Sequence, residues 1–147
     1  MDFNIKEIVG KVLNDSGELI GTGFIINEDH FVTARHNVHN GIEDVEEKVI
    51  KILFDNKIYV GMTLNLKKAY EKRVDFVLIK LEEEIYDIEI PKIIKTTGNL
   101  ENFSFRIYGY PKERDTGISI NGKIISNAIN NENIDLKKII GSTNEHV

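Results

Sequence analysis

Cysteine is absent from the sequence, which excludes disulfides, thiolate metal sites and a cysteine nucleophile within these 147 residues. Basic residues never run longer than pairs such as Lys67-Lys68 and Lys137-Lys138, and the net charge is −5. Phosphate binding needs clustered Lys and Arg, so nucleic acid is not an expected partner. No apolar run approaches the roughly 18 residues of a membrane span. The opening Met1-Asp2-Phe3-Asn4-Ile5-Lys6 lacks the basic-then-apolar order of a signal peptide. A cytoplasmic protein with no membrane partner is therefore expected. Proline occurs only twice. That scarcity, beside abundant Ile, Lys, Asn and Glu, reads as genome base composition rather than function. Internal repeats and low-complexity tracts are also missing. What is present is an ordinary globular balance, 41% apolar and 29% charged. It is enough for one domain with a core or for two very small subdomains.

The apolar periodicity is that of strands. Residues 5–13 and 18–26 flank the turn signal Asn14-Asp15-Ser16-Gly17 and read as a hairpin. Asn27-Glu28-Asp29 leads into a strand over 30–34. Strands over 49–54 and 57–66 enclose the turn Asp55-Asn56, and 73–81 is apolar enough to be buried on both faces. Six strands at short spacing within 5–82 predict an all-β barrel or sandwich. A helical turn after His36, and a helix over 42–51, are the weaker helical alternatives. Residues 83–100 form a connector with a turn at Gly98-Asn99. Strands then follow over 103–108, 118–126 and 134–140. Asn121-Gly122 reads either as a tight turn or as a bulge, and Asn130-Asn131-Glu132-Asn133 reads as a turn. Three strands are too few to close a barrel of their own.

Two segments carry chemistry together. The first is Gly21-Thr22-Gly23-Phe24 followed by Thr33-Ala34-Arg35-His36; the second is Asp75-Phe76-Val77-Leu78-Ile79. With Gly109-Tyr110-Pro111 further on, this order resembles the trypsin-like (chymotrypsin-fold) serine peptidase family, in its bacterial form, over roughly residues 5–127. The resemblance implies a double β-barrel: a first six-stranded barrel over 1–82, a connector over 83–100, and a partial second barrel over 101–147. It implies a protein or peptide substrate, and chemistry that needs no cofactor and no metal. It also implies that His36 is the general base and Asp75 the carboxylate that orients it. A serine hydroxyl is a poor nucleophile at neutral pH and needs an imidazole beside it; a carboxylate on the other ring nitrogen fixes the tautomer. Asp75 precedes four consecutive apolar residues, so burial of its carboxylate is expected. Arg35 stands where many members have a small residue.

The remaining histidines are expected to be bland. His39 is placed on the surface of the loop after His36, His30 at a turn, and His146 at the terminus. A metal bound by His36 and His39 lacks a third ligand. The family's nucleophile sits in a Gly-x-Ser-Gly segment, and none occurs in the sequence. Ser142, in Gly141-Ser142-Thr143, is the nearest candidate; Thr143 stands where the glycine should be, and Ser142 is read as an ordinary turn serine. Ser104, Ser119 and Ser126 fall within predicted strands. The chain thus carries the His and Asp of a serine endopeptidase without its serine. The second barrel would be completed by further domains or by a second chain. Two other readings stay open: an inactive barrel used as a protein-interaction module, and a cysteine peptidase whose nucleophile is supplied from outside these residues. Substrate preference is not encoded here, because the walls of the specificity pocket follow the nucleophile.

Overall fold

The computed structural model describes residues 5–39, 45–92, 104–111, 116–129 and 135–145. It is all-β apart from two 3-10 turns and one short helix. Six strands form a closed antiparallel barrel: β1 (Val9–Leu13), β2 (Leu19–Asn27), β3 (His30–Thr33), β4 (Val49–Phe54), β5 (Lys57–Leu64) and β6 (Val77–Leu81). Their order around the barrel is β1-β2-β3-β6-β5-β4, with β4 returning to β1. Inward positions alternate with outward ones, as the pleat requires. In β4, Ile50, Ile52 and Phe54 are buried while Val49 is exposed. Val12, Ile25, Phe31, Ile52, Val77 and Ile79 from five strands meet at the centre. Each contributes about 1.5–3 kcal/mol by leaving water. Phe31 fills space that Gly10 and Gly23 leave empty: a Cβ on Gly23 would overlap the Phe31 ring and the Val32 carbonyl.

The β4–β5 hairpin turns at Asp55 (φ 48°) and Asn56 (φ 62°), the two left-handed residues of a type I′ turn. Other expectations need correction. Residues Ile5–Ile8 form a 3-10 turn, so the first strand begins at Val9. β6 starts at Val77 and alternates: Val77, Ile79 and Leu81 are buried, whereas Lys80 is exposed. It is not buried on both faces, because its outer face has no covering layer among the described residues. Residues 45–48 are irregular and Val49 opens a strand, so the helix expected over 42–51 does not form in that part. Residues 40–44 lie outside the described residues.

A helix stands where a strand end was expected. β5 stops at Leu64, and α1 (Leu66–Glu71) follows. Leu66 is fully buried and anchors it. Glu47 accepts the Leu66 N–H at 2.9 Å and the Thr63 hydroxyl at 2.6 Å, so an acidic side chain satisfies an orphan donor at the helix start. At the other end Arg73 adopts φ 57°, its N–H bonds to the Tyr70 carbonyl, and Val74 N–H bonds to the Ala69 carbonyl. This left-handed cap turns the chain sharply toward β6.

Beyond the barrel lies an antiparallel three-stranded sheet of β7 (Ser104–Gly109), β8 (Ile118–Ile129) and β9 (Asp135–Glu145), in the order β7-β8-β9. β8 runs straight through Asn121-Gly122, so no tight turn forms there; its register shifts later, between Ile124 and Ser126. The expected turns at Gly98-Asn99 and 130–133 lie outside the described residues. The sheet docks on the barrel through Tyr110. Its N–H donates to Thr22 Oγ1 at 2.8 Å, and that hydroxyl donates to the Tyr110 carbonyl at 3.1 Å. Lys11 lies over the Tyr110 ring, 4.8 Å from its centroid. Burial, with the neighbouring Tyr108, pushes the Tyr110 hydroxyl up to about 12. Among the described residues no helix is long and apolar enough to cross a membrane.

Candidate active site

The barrel's register brings the two chemistry-bearing segments together. β3 and β6 are neighbours, and Thr33 pairs with Val77. Residues just after β3 and just before β6 therefore emerge side by side at one barrel end. His36 lies three positions beyond Thr33, and Asp75 two positions ahead of Val77. Past β3 the chain coils into a 3-10 turn, Arg35–Asn37, closed by Asn37 N–H to Ala34 O and Val38 N–H to Arg35 O. The Thr33 hydroxyl donates to the Thr22 carbonyl at 2.9 Å and accepts from the Asn37 side-chain amide at 3.0 Å. The turn is thereby fastened to the barrel wall. Val38 and His39 are buried on its inner side, while His36 faces out.

Asp75 engages His36 twice. Oδ1 accepts the His36 backbone N–H at 2.9 Å, and Oδ2 meets the ring Nδ1 at 2.6 Å. An ionised carboxylate can only accept, so Nδ1 carries a proton, and in the neutral ring the lone pair is then on Nε2. The short contact has the length of a charge-assisted bond. Burial would push the Asp75 carboxyl up, but the ring and backbone hydrogen bonds of His36, with the charges of His36 and Arg35, outweigh it and hold the carboxyl below its ordinary value. The side chains of His36 and Asp75 remain 68% and 52% exposed. The expected burial of the Asp75 carboxylate is thus not observed, because the barrel's apolar interior begins only at Val77 and Phe76 itself faces solvent. Chemically, the arrangement could serve as a base: the ring is exposed, and it is backed by a carboxylate that would stabilise the imidazolium.

The other histidines separate from this pair. His39 is not a surface residue. It is 2% exposed and meets Tyr70 of α1 edge-on, with ring centroids 5.1 Å apart. The sequence could not reveal this, because the ring is covered by a helix the periodicity did not announce. His30 sits at the β2–β3 turn, its Nδ1 2.8 Å from Asp29 Oδ1 and 2.9 Å from Asn27 Oδ1. His146 lies outside the described residues. No group of three or more His, Cys, Asp or Glu that could hold a metal ion occurs among the described residues.

Ser142 lies within β9 rather than in a turn, with its backbone paired opposite Asn121. Ser104 opens β7, and Ser119 and Ser126 belong to β8. Two contacts at the site are not foreseen from the sequence, where Arg35 stands out only for its size and Tyr70 not at all. Arg35 donates from Nε to the Val74 carbonyl at 3.0 Å, and its guanidinium lies over the Tyr70 ring. The usable signal was Leu66-Lys67-Lys68-Ala69, a run of strong helix formers just ahead of Tyr70. A cavity of about 490 Å³ opens elsewhere, lined by Lys6, Lys11, Phe54, Asp87 and Tyr110 among others. It contains neither His36 nor Asp75, so volume does not mark the candidate site.

A family model described as a trypsin-like peptidase domain matches residues 21–144. No curated protein matches the chain.

Proposed function

The chain belongs to the trypsin-like peptidase domain family, and we propose that it supplies the general base and its orienting carboxylate to a serine endopeptidase. The observation that carries this reading is the pair of hydrogen bonds that Asp75 accepts from His36, one from the ring and one from the backbone. His36 Nε2 would take the proton of a serine hydroxyl as that oxygen attacks the peptide carbonyl, and would return it to the leaving amine. Asp75 would hold the ring in the tautomer that makes this possible. In this reading residues 1–82 serve as the first barrel, 83–100 as the connector and 101–147 as part of the second.

The nucleophile and the oxyanion-hole N–H groups then come from polypeptide outside these 147 residues, in the same protein or in an associated chain. No Gly-x-Ser-Gly segment occurs in the sequence. The pairing of the Ser142 backbone within β9 supports leaving that serine out of the chemistry. The test has two arms. The 147-residue chain should leave a fluorophosphonate probe unreacted. A natural form extended to include a Gly-x-Ser-Gly segment should react, and His36→Ala should lower its turnover by several orders of magnitude, since triad members act as a unit. Covalent labelling of Ser142, or full activity in His36→Ala, would refute the proposal.

A second reading has one observation in its favour. Among the described residues β7 and β9 each pair only with β8, so the sheet offers two open edges suited to strand addition by a partner. An interaction module of this kind would bind extended peptides as well after His36→Ala as before.

A further inference from the structure

The His36–Asp75 pair lies in the open, which raises the question of what keeps it formed. Hydrogen-bonded ion pairs between exposed side chains are worth only about 0.2–1 kcal/mol. The two residues belong to segments that leave different strands. One residue earlier on each segment, a second link joins the same two stretches of chain. Arg35 Nε donates to the Val74 carbonyl at 3.0 Å. The Arg35 guanidinium lies over Tyr70, its Cζ 5.4 Å from the ring centroid, and the Tyr70 ring meets the buried His39 on its other contact. Val74 is itself fixed from behind, because its N–H bonds to the Ala69 carbonyl at the end of α1. The end of α1, the 3-10 turn at Arg35–Asn37 and the start of the Asp75 segment are thus joined through one guanidinium.

We propose that Arg35 is a positioning residue: by gripping the Val74 carbonyl while its guanidinium lies over the Tyr70 ring, it sets the register in which the Asp75 carboxylate meets both N–H groups of His36. Its functional meaning rests on the reading of His36 as a base; the geometric role does not. The demand is specific to arginine. Nε belongs to the same rigid plane as the Cζ that lies over the ring, so donor direction and ring contact are coupled. A lysine in its place would keep the positive charge near Asp75 but lose that coupling.

Arg35→Lys and Arg35→Met in the 147-residue chain separate placement from charge. In the unaltered chain the His36 Nδ1 proton, hydrogen-bonded to Asp75, should give a downfield proton resonance. Both variants should lose that resonance, and by ¹³C NMR their Asp75 carboxyl should titrate at higher pH than in the unaltered chain. Circular dichroism should still report the barrel. An Arg35→Lys chain that keeps both the resonance and the original titration would overturn the proposal, because charge alone would then suffice. An Arg35→Met chain that keeps them would do the same. Unfolding of both variants would also overturn it, by making Arg35 a determinant of the fold. None of these measurements needs turnover. An inactive extended protein with the expected spectra would sink the proposed function and leave the positioning role standing; an active one with unaltered spectra in Arg35→Lys would do the reverse.

Discussion

The barrel and the three-stranded sheet are made of the same antiparallel pairing, but they treat their edges differently. In the barrel β4 returns to β1, every strand has two neighbours, and the enclosed space is filled by Phe31, Ile25, Ile52 and Ile79. In the sheet β7 and β9 each have a single neighbour among the described residues. Ile107, on β7, is 47% exposed. Closure removes edges and creates an inside at once; an open sheet of three strands does neither. The two regions therefore carry different burdens. The barrel holds the fold and, at its rim, the His36–Asp75 pair. The sheet is fastened to the barrel wall by Thr22 and Tyr110, and among the described residues its two outer strands each keep one unpaired edge.

The largest expected effect separates the two regions by stability. Phe31→Ala removes a ring with no solvent exposure from the barrel centre. It should cost about 3–5 kcal/mol, a large share of the roughly 5–15 kcal/mol that a domain possesses. Ile107→Ala on β7 should change stability by no more than about 0.5 kcal/mol. Urea unfolding of both variants measures the contrast, and equal losses would mean that the sheet shares the barrel's core after all.

A smaller effect should reveal the joint between them. Thr22→Val removes the hydroxyl that both accepts from and donates to Tyr110. The loss should be about 1–2 kcal/mol, since the Tyr110 N–H is left without its partner. Native-state hydrogen exchange should find the Tyr110 amide less protected while the amides of Phe31 and Ile79 keep their rates. If the barrel amides accelerated by the same factor, barrel and sheet would open as one unit.

How legible these regions were from the sequence follows from the same physics. Period-2 alternation in residues 49–54 and 57–64 is enforced by the barrel interior, and Asp55-Asn56 suits a two-residue turn, so β4 and β5 could be read directly. Asn121-Gly122 has the same turn chemistry and is not a turn. Asn121 is paired with Arg106 on one side and Ser142 on the other, and pairing on both flanks overrides a local preference. α1 was hidden because Leu64 and Leu66 also satisfy a strand's alternation; a helix of six residues is too short for its own period to stand out. Missing α1 meant missing the Tyr70 ring that meets His39 and lies under Arg35. The resemblance named His36 and Asp75, and the β3–β6 register brings them into contact. The exposure of that contact depends on how the chain leaves the helix at Arg73, which no motif records.

The smallest expected effect tests whether the rim pair belongs to the barrel's stability at all. Asp75 has its carboxyl held below its ordinary value of 3.8 in the folded chain. Between the lower folded value and 3.8 the unfolded chain therefore binds more protons than the native one, and stability must rise with pH across that interval. The contribution is complete above the ordinary value. It shrinks as pH falls through the interval, and below the folded value it is gone. Both partners are more than half exposed, so water screens the interaction and the whole contribution should be a few tenths of a kcal/mol. The measurement is the difference in unfolding free energy between the unaltered chain and Asp75→Asn, followed from neutral pH into acid. The difference should favour the unaltered chain above the ordinary carboxylate value and should close as pH falls below it. A difference that widened on acidification would reverse the sign of the linkage and with it the assignment of Asp75 as an ionised acceptor. A difference of several kcal/mol would contradict the division drawn between core and rim, because it would make a solvent-exposed pair as important to the fold as Phe31.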